Sequence, residues 1–242
     1  MNKYRLKFSK NGPIKFIGHL DVMRYFQKAI RRAEIDIKYS EGFSPHQVIS
    51  FAQPLSVGAT SDGEYMDITL DSFMDCDDLK DSLNAVMNEG IKIISVIELA
   101  DNDEKAMTAC YAAKYKVRFR KSCKPDFDWI TKLKQYLSND HLPAMKKTKS
   151  GEKEIDMKPL IFDYNFDEKD ESVTLLLSMS SSATLKVSLL FKYFFESISE
   201  SISDNALDIH RIEIYKQSKQ DDLEFIEPLI PGDEKMRFYL GK

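Results

Sequence analysis

Apolar and polar residues alternate from Asn2 to Ser9, with Tyr4, Leu6 and Phe8 on one side and Lys3, Arg5 and Lys7 on the other. This is the period-two signature of a half-buried strand. Asn11-Gly12-Pro13 breaks it. From His19 to Ala33 the period lengthens: Val22, Phe26, Ala29, Ile30 and Ala33 recur at helical spacing, and Arg24, Lys28, Arg31 and Arg32 share much of the opposite arc. Short extended runs follow at Ile35–Tyr39 and Gln47–Ala52, with a loop at Gly42–Pro45 between them. Pro54, Gly58 and Gly63 punctuate the next stretch, and Glu64 to Leu70 alternates again. Asp75 to Met87 has inward Leu79, Leu83 and Val86, with Asp77, Asp78 and Asp81 in its first turns, where acids complement a helix dipole. Asn88-Glu89-Gly90 ends it, and Ile91–Leu99 is a strand.

Asp101 to Lys105 is polar and reads as a linker. Beyond it the pattern restarts. Tyr115, Val117 and Phe119 alternate with Lys116, Arg118 and Arg120; Pro125 and Asp126 start a helix that buries Trp129, Leu133, Tyr136 and Leu137. Lys146 to Leu160 reads as two lysine-rich extended arms about a Ser150-Gly151 turn, and Val173–Met179 as a buried strand. Ser181-Ser182 are positioned to cap a helix reaching Ser199, apolar almost all round, and residues 207–216 form a last strand. That helix has more apolar surface than one sheet covers, which points to the interface between halves, the apolar tail residues Phe225, Ile226, Leu229 and Ile230, or a partner surface.

The order β-α-β-β-α-β thus occurs twice, which predicts an α+β protein of tandem ferredoxin-like (βαββαβ) sandwiches with antiparallel sheets. The expected division is a first unit over 1–100, a second over 106–219, and a tail over 220–242 that packs on the domain.

Charge follows the same rhythm. Residues 1–50 hold 10 Lys/Arg against 4 Asp/Glu, 51–110 hold 3 against 13, 111–160 hold 13 against 6, and 161–242 hold 9 against 16. The net charge of −4 hides two basic-then-acidic halves. With 242 residues, 43% of them apolar, the chain has material for folded cores. No apolar run approaches the roughly 20 residues of a membrane span, and Met1 to Arg5 leads into a strand pattern instead of a signal-peptide core, so the expected location is cytoplasmic with no membrane partner. Cys76, Cys110 and Cys123 are odd in number and lack C-x-x-C spacing, which points to no zinc, cluster or disulfide framework.

Two clusters stand apart, Gly12-Pro13-Ile14-Lys15-Phe16-Ile17-Gly18-His19-Leu20-Asp21-Val22-Met23-Arg24 and Tyr39-Ser40-Glu41-Gly42-Phe43-Ser44-Pro45-His46. With Ser50-Phe51-Ala52-Gln53-Pro54-Leu55, Ser61-Asp62-Gly63-Glu64-Tyr65, Arg5, Phe8, Lys10 and Gly58, they resemble an uncharacterised radical-SAM-associated family, a domain of unknown function found alone or as the C-terminal part of radical SAM proteins. The dense match covers residues 5–65, and a thinner echo persists around Asp156 and Pro159. Many relatives read Pro-Lys after the second histidine, where this chain has Gln47-Val48 and so lacks a cation. The resemblance implies a radical SAM enzyme as partner and a setting of ribosome and RNA processing, without a particular reaction. The chain lacks the C-x-x-x-C-x-x-C signature, so it is not itself the radical enzyme.

The residues themselves point to RNA or tRNA, with no DNA expected and no cofactor or metal required. Lys10, Arg24, Lys28, Arg31, Lys146, Lys147, Lys149, Lys153 and Lys158 supply cations for a phosphate backbone, and Phe16, Tyr39 and Phe43 supply stacking faces. A non-enzymatic adaptor follows from this reading. The alternative is a metal-independent endonuclease in which His19 and His46 act as acid and base, by fold-level analogy with tandem ferredoxin-like RNA endonucleases. A protein-interaction module is the third possibility. His141 and His210 have no chemically suggestive neighbours in the sequence.

Overall fold

A computed structural model of the chain describes residues 1–148, 151–181, 183–221, 223–232 and 237–239. It is a mixed α+β structure with five α-helices among the described residues, and its paired strands run mostly antiparallel. The chain forms two compact units, Met1–Tyr111 with Arg211–Lys242, and Ala112–His210.

The first unit runs β1 (Asn2–Lys10), a 3-10 turn over Gly12–Phe16, α1 (His19–Arg32), β2 (Ile49–Phe51), β3 (Thr60–Leu70), α2 (Cys76–Val86), β4 (Ile91–Leu99) and the short α3 (Ala106–Ala109). β1 lies between β3 and β4, antiparallel to both, and β2 pairs with β3 at Met66–Ile68. The alternation read from the sequence sets the core: Tyr4, Leu6, Phe8, Met66 and Ile68 meet Val22, Phe26 and Ile30 of α1 and Leu79 and Leu83 of α2. Each such side chain contributes about 1.5–3 kcal/mol on leaving water. Asp75 caps α2 by accepting from the Asp77 and Asp78 amides.

Two local expectations change. Ile35–Tyr39 makes only isolated bridges, Ile37 to Leu70 and Tyr39 to Gln47, because β2 already occupies the β3 edge at Met66–Ile68. Gly63 does not interrupt a strand; β3 runs through it. A Cβ there would lie 2.6 Å from the Glu213 Cα, so this glycine marks a close backbone approach.

The second unit runs β5 (Ala112–Phe119), α4 (Trp129–Leu137), β6 (Pro143–Thr148), β7 (Gly151–Asp156), β8 (Ile161–Asp167), β9 (Ser172–Ser178) and α5 (Val187–Ser197). β9 lies between β5 and β8, antiparallel to both. The lysine-rich arms pair with each other as a separate two-stranded ribbon, and β8, which the sequence pattern did not single out, takes the place beside β9. Asp128, not Pro125 or Asp126, starts α4, its carboxylate accepting from the Thr131 amide. Lys186 occupies the N-cap of α5, well after Ser181; Ser182 and Ser150 lie outside the described residues. The excess apolar surface of α5 finds its cover inside its own unit. Leu190, Phe191, Phe194 and Phe195 cluster with Trp129, Leu133, Leu137 and Leu207.

The chain then returns. β10 (Leu207–Gln220) has its first four residues in the second unit and the rest in the first, followed by β11 (Leu223–Pro228) paired to β10 and β12 (Phe238–Tyr239) paired to β11. Division at 101–105 with a separate tail is therefore not how the compact units fall. Local polarity marks where a chain is exposed, but a strand that comes home from residue 211 is a non-local pairing that no local composition encodes.

Candidate functional site

The residues that carry the family motif separate into an interior set and an exterior set. The interior set lines a cavity of about 20 Å³ in the first unit, walled by Phe8, Lys10, His19, Val22, Phe51, Gln53, Pro54, Leu55, Glu64 and Tyr65. Four chain segments meet there. The end of β1 supplies Phe8 and Lys10, the first turn of α1 supplies His19 and Val22, β2 and the loop after it supply Phe51 to Leu55, and β3 supplies Glu64 and Tyr65. The strand and helix patterns fix these positions; their convergence follows from the pairing of β1 and β2 with β3.

Lys10 is 3% exposed, so it is not offered to a phosphate backbone at the surface. Its Nζ donates to the Ile17 carbonyl at 3.0 Å. Burial pushes the amine below its ordinary range, the Glu64 charge opposing that shift and the Arg211 charge adding to it. His19 stands edge-on to Phe51, ring centroids 5.3 Å apart. Phe51 also packs edge-on against Phe8 and Phe26.

Behind the cavity lies a charged network that the sequence reading did not find. Arg211 donates to both Glu64 oxygens, at 2.7 and 2.5 Å, and to the Gln53 carbonyl at 2.9 Å. Glu213 accepts from Tyr65 Oη at 2.6 Å, from Lys7 Nζ at 2.5 Å and from the Ile214 amide at 2.9 Å. Burial, then the Glu213 charge and hydrogen bond, hold the Tyr65 phenol far above its usual range. A signal existed: Arg211, Glu213 and Tyr215 alternate with Ile212 and Ile214, so one face of β10 is charged. Nothing local says that this face is the buried one.

The exterior set is different. Gly12 opens the 3-10 turn at φ +59°, and Phe16 projects from it, 61% exposed, beneath the Lys15 ammonium. Asp21 and Arg24 form an exposed ion pair at 3.3 Å. Arg24, Lys28 and Arg31 face solvent along α1, opposite Val22, Phe26 and Ile30; Arg31 also donates to the Gln27 carbonyl. In the second motif loop Tyr39, Phe43, Pro45 and His46 are exposed, and Gly42 sits at φ +111°, a region that disfavours any side chain. His46 Nδ1 is 2.8 Å from Ser40 Oγ, so the imidazole secures its own loop. Gln47 is buried and donates to the Gln27 carbonyl, tying that loop to α1. Ser50 is half-buried on β2 opposite Asp67. His19 lines the cavity and His46 does not.

The lysines of the second unit stand elsewhere. Lys146 Nζ donates to the Thr184 carbonyl at 2.7 Å, tying the ribbon to the segment before α5, and Lys158 Nζ donates to the Leu137 carbonyl at 2.5 Å, tying the turn after β7 to the end of α4. Lys153 is exposed. Lys149 and the side chain of Lys147 lie outside the described residues. His141 Nδ1 meets Asp156 at 3.1 Å, and Asp156 also accepts the Leu142 and Lys158 amides, which keeps its carboxyl below the usual range. The Asp156–Pro159 echo therefore falls on a chain-turning motif.

Among the described residues no three His, Cys, Asp or Glu side chains gather as a metal site, and no helix is long and apolar enough to cross a membrane. Cys76, Cys110 and Cys123 are free thiols. No curated protein matches the chain. A family described as an uncharacterized protein conserved in bacteria, DUF2344, matches residues 3–187, well over half the sequence and including every wall of the cavity. The chain belongs to this family.

Proposed function

We propose that this protein is a non-enzymatic RNA- or tRNA-binding adaptor that works with a radical SAM enzyme, and that the outer face of α1 is its RNA surface. The observation that carries the reading is the stripe Arg24, Lys28 and Arg31, three exposed cations on consecutive turns, in the same unit as the exposed rings of Phe16 and Phe43. Cations spaced along a helix neutralise successive phosphates, and exposed rings stack on unpaired bases with little regard for sequence. The radical SAM partner rests on the family resemblance alone. A ferredoxin-like reading of the first unit is supported by the antiparallel order β4-β1-β3 with β2 on β3 and helices after β1 and β3. For the second unit the support is β5-β9-β8 with α4 and α5.

The test is binding of a structured RNA against salt. The native protein is expected to bind at low salt, and the triple variant Arg24→Glu, Lys28→Glu, Arg31→Glu to lose that binding, the slope of log K against log salt falling by about 2–3. Absence of binding by the native protein at low salt overturns the proposal. Cleavage of the RNA that disappears in His19→Ala would replace it with the endonuclease reading. A protein-docking reading has its own observation, the exposed apolar side chains of Leu20 and Val57 in the same unit, and co-purification of a protein in place of RNA would favour it.

A further inference from the structure

The second motif loop is built firmly around a ring that packs on nothing. Its legs are held together by the Val48 amide on the Lys38 carbonyl and the Ser40 amide on the His46 carbonyl, each at 2.8 Å. Both legs also grip one residue of β3: the Lys38 amide donates to the Thr69 carbonyl at 2.8 Å, and the Thr69 amide donates to the Val48 carbonyl at 3.2 Å. Nearer the tip, Ser40 Oγ accepts the His46 amide at 3.1 Å and lies 2.8 Å from the His46 ring. Gly42, at φ +111°, turns the chain, and Phe43 follows it wholly exposed and outside the hydrophobic cluster of its unit. A ring that buries no area gives the fold no hydrophobic stabilisation. The framework therefore presents the Phe43 ring without being held together by it.

The same loop is fixed to the cationic face of α1 through one acceptor. The Gln27 carbonyl receives Gln47 Nε2 at 3.3 Å and Arg31 Nε at 3.2 Å. Gln47 is the buried foot of the loop, bridged to Tyr39, and Arg31 is the last exposed cation of the stripe. Phe43 stands four positions before Gln47. The two Cα atoms are thus no more than about 14 Å apart. An exposed flat ring and exposed cations are in this way held in one frame. A single RNA strand uses both, since an unpaired base offers a π-face and its phosphates offer charge, whereas the bases of a duplex already cover one another.

We propose that this loop is the single-strand reader of the RNA surface: an unpaired base stacks on Phe43, the strand's phosphates meet Arg31 and Lys28, and Gln47 is the positioning residue that holds tip and stripe in register. The inference rests on the RNA-binding reading. It adds the class of RNA, a single strand, loop or bulge in place of a continuous duplex.

The experiment titrates the native full-length protein into a short single-stranded RNA carrying one 2-aminopurine, and into the blunt duplex of the same sequence. Stacking is expected to change the fluorescence of the single strand. Phe43→Ala should remove that change and weaken single-strand binding by about 5- to 150-fold, the loss of one stacked base, while the slope of log K against log salt is kept. Phe43→Trp should restore both, and duplex binding should be the same in all three proteins. Gln47→Met, which keeps the volume but releases the Gln27 carbonyl, should lower the fluorescence change at a retained thermal midpoint; an unaltered response in the folded variant overturns the positioning role. Should that variant not fold, the Phe43 variants, altered at an exposed position, decide alone. Phe43→Ala that behaves as the native protein on the single strand overturns the inference, and so does an equal loss on strand and duplex. In either case loss of binding in the Arg24, Lys28 and Arg31 triple variant still upholds the RNA surface, whereas a native protein that binds neither RNA overturns both.

Discussion

The two units bury opposite kinds of chemistry. Every buried charged side chain among the described residues, namely Arg5, Lys10, Glu64, Arg211, Glu213 and Glu227, belongs to the first; the buried polar side chains of the second are Ser172 and Ser178. In place of charges the second unit has rings, with Phe194 and Phe195 centroids 5.2 Å apart and Trp129 and Phe191 6.5 Å apart. A ring cluster is stabilised by area and contact, terms that add residue by residue. A buried charge network is stabilised only while each charge keeps its partner. The first unit therefore behaves as a set of coupled pairs, and the family motif lies mainly there.

The largest expected effect tests that coupling. Arg211→Met leaves Glu64 buried without its cation and should cost about 3–5 kcal/mol, whereas Arg211→Met with Glu64→Leu should recover most of the loss. Phe194→Ala in the second unit should cost a similar 3–5 kcal/mol by leaving a void, with no second deletion able to rescue it. Urea unfolding separates the cases, since Trp129, the single tryptophan, reports the second unit and backbone circular dichroism reports both. A double variant as unstable as Arg211→Met alone would break the comparison.

A smaller effect concerns Lys10, whose Nζ has the Ile17 carbonyl as acceptor and, among the described residues, no ion pair. Because burial lowers the Lys10 pKa from 10.5, the unfolded chain binds more protons than the folded one below that pH, so the Lys10 contribution to stability rises as pH climbs toward 10.5. Lys10→Met should be the more stable protein at neutral pH, and its advantage should shrink with rising pH. Tyr65 acts in the other direction above its ordinary value of 10.0, where the unfolded phenol ionises and the folded one does not, so stability then falls. Thermal midpoints of the native and Lys10→Met proteins between pH 7 and pH 10, approximately the interval separating these two regimes, give the sign directly. A gap that widens with pH would show that folding raises the Lys10 pKa instead of lowering it.

The smallest effect lies on the surface. Asp21→Asn removes the exposed partner of Arg24 and an acid from the first turn of α1, costing no more than about 1 kcal/mol. RNA affinity should rise slightly, since an anion beside the cationic stripe has gone. Unchanged or weaker binding with an intact fold would move the RNA surface away from this end of the helix.

Much of the architecture was legible from periodicity. The alternation of Tyr4, Leu6 and Phe8 named the buried face of β1, the spacing of Val22, Phe26 and Ile30 named that of α1, and Asp75 marked the start of α2, because each depends on neighbours within a few residues. The site was legible in its parts. Lys10, His19, Phe51, Glu64 and Tyr65 were all singled out by the motif, yet Lys10 was grouped with surface cations, since a lysine two residues beyond Phe8 looks the same whether or not a loop covers it.

The sequence by itself determined the local elements, the α+β class and the exposed basic face of α1, all set by short-range pattern and the cost of burying charge. Only the tertiary structure decided that β10 returns at Arg211, that Glu64 and Tyr65 find partners 147 and 148 residues away, and that Lys10 stands beside a cavity with the Ile17 carbonyl as its acceptor. Those outcomes depend on which strands pair across the chain. Pairing is chosen by the summed energy of whole faces, which no single stretch contains.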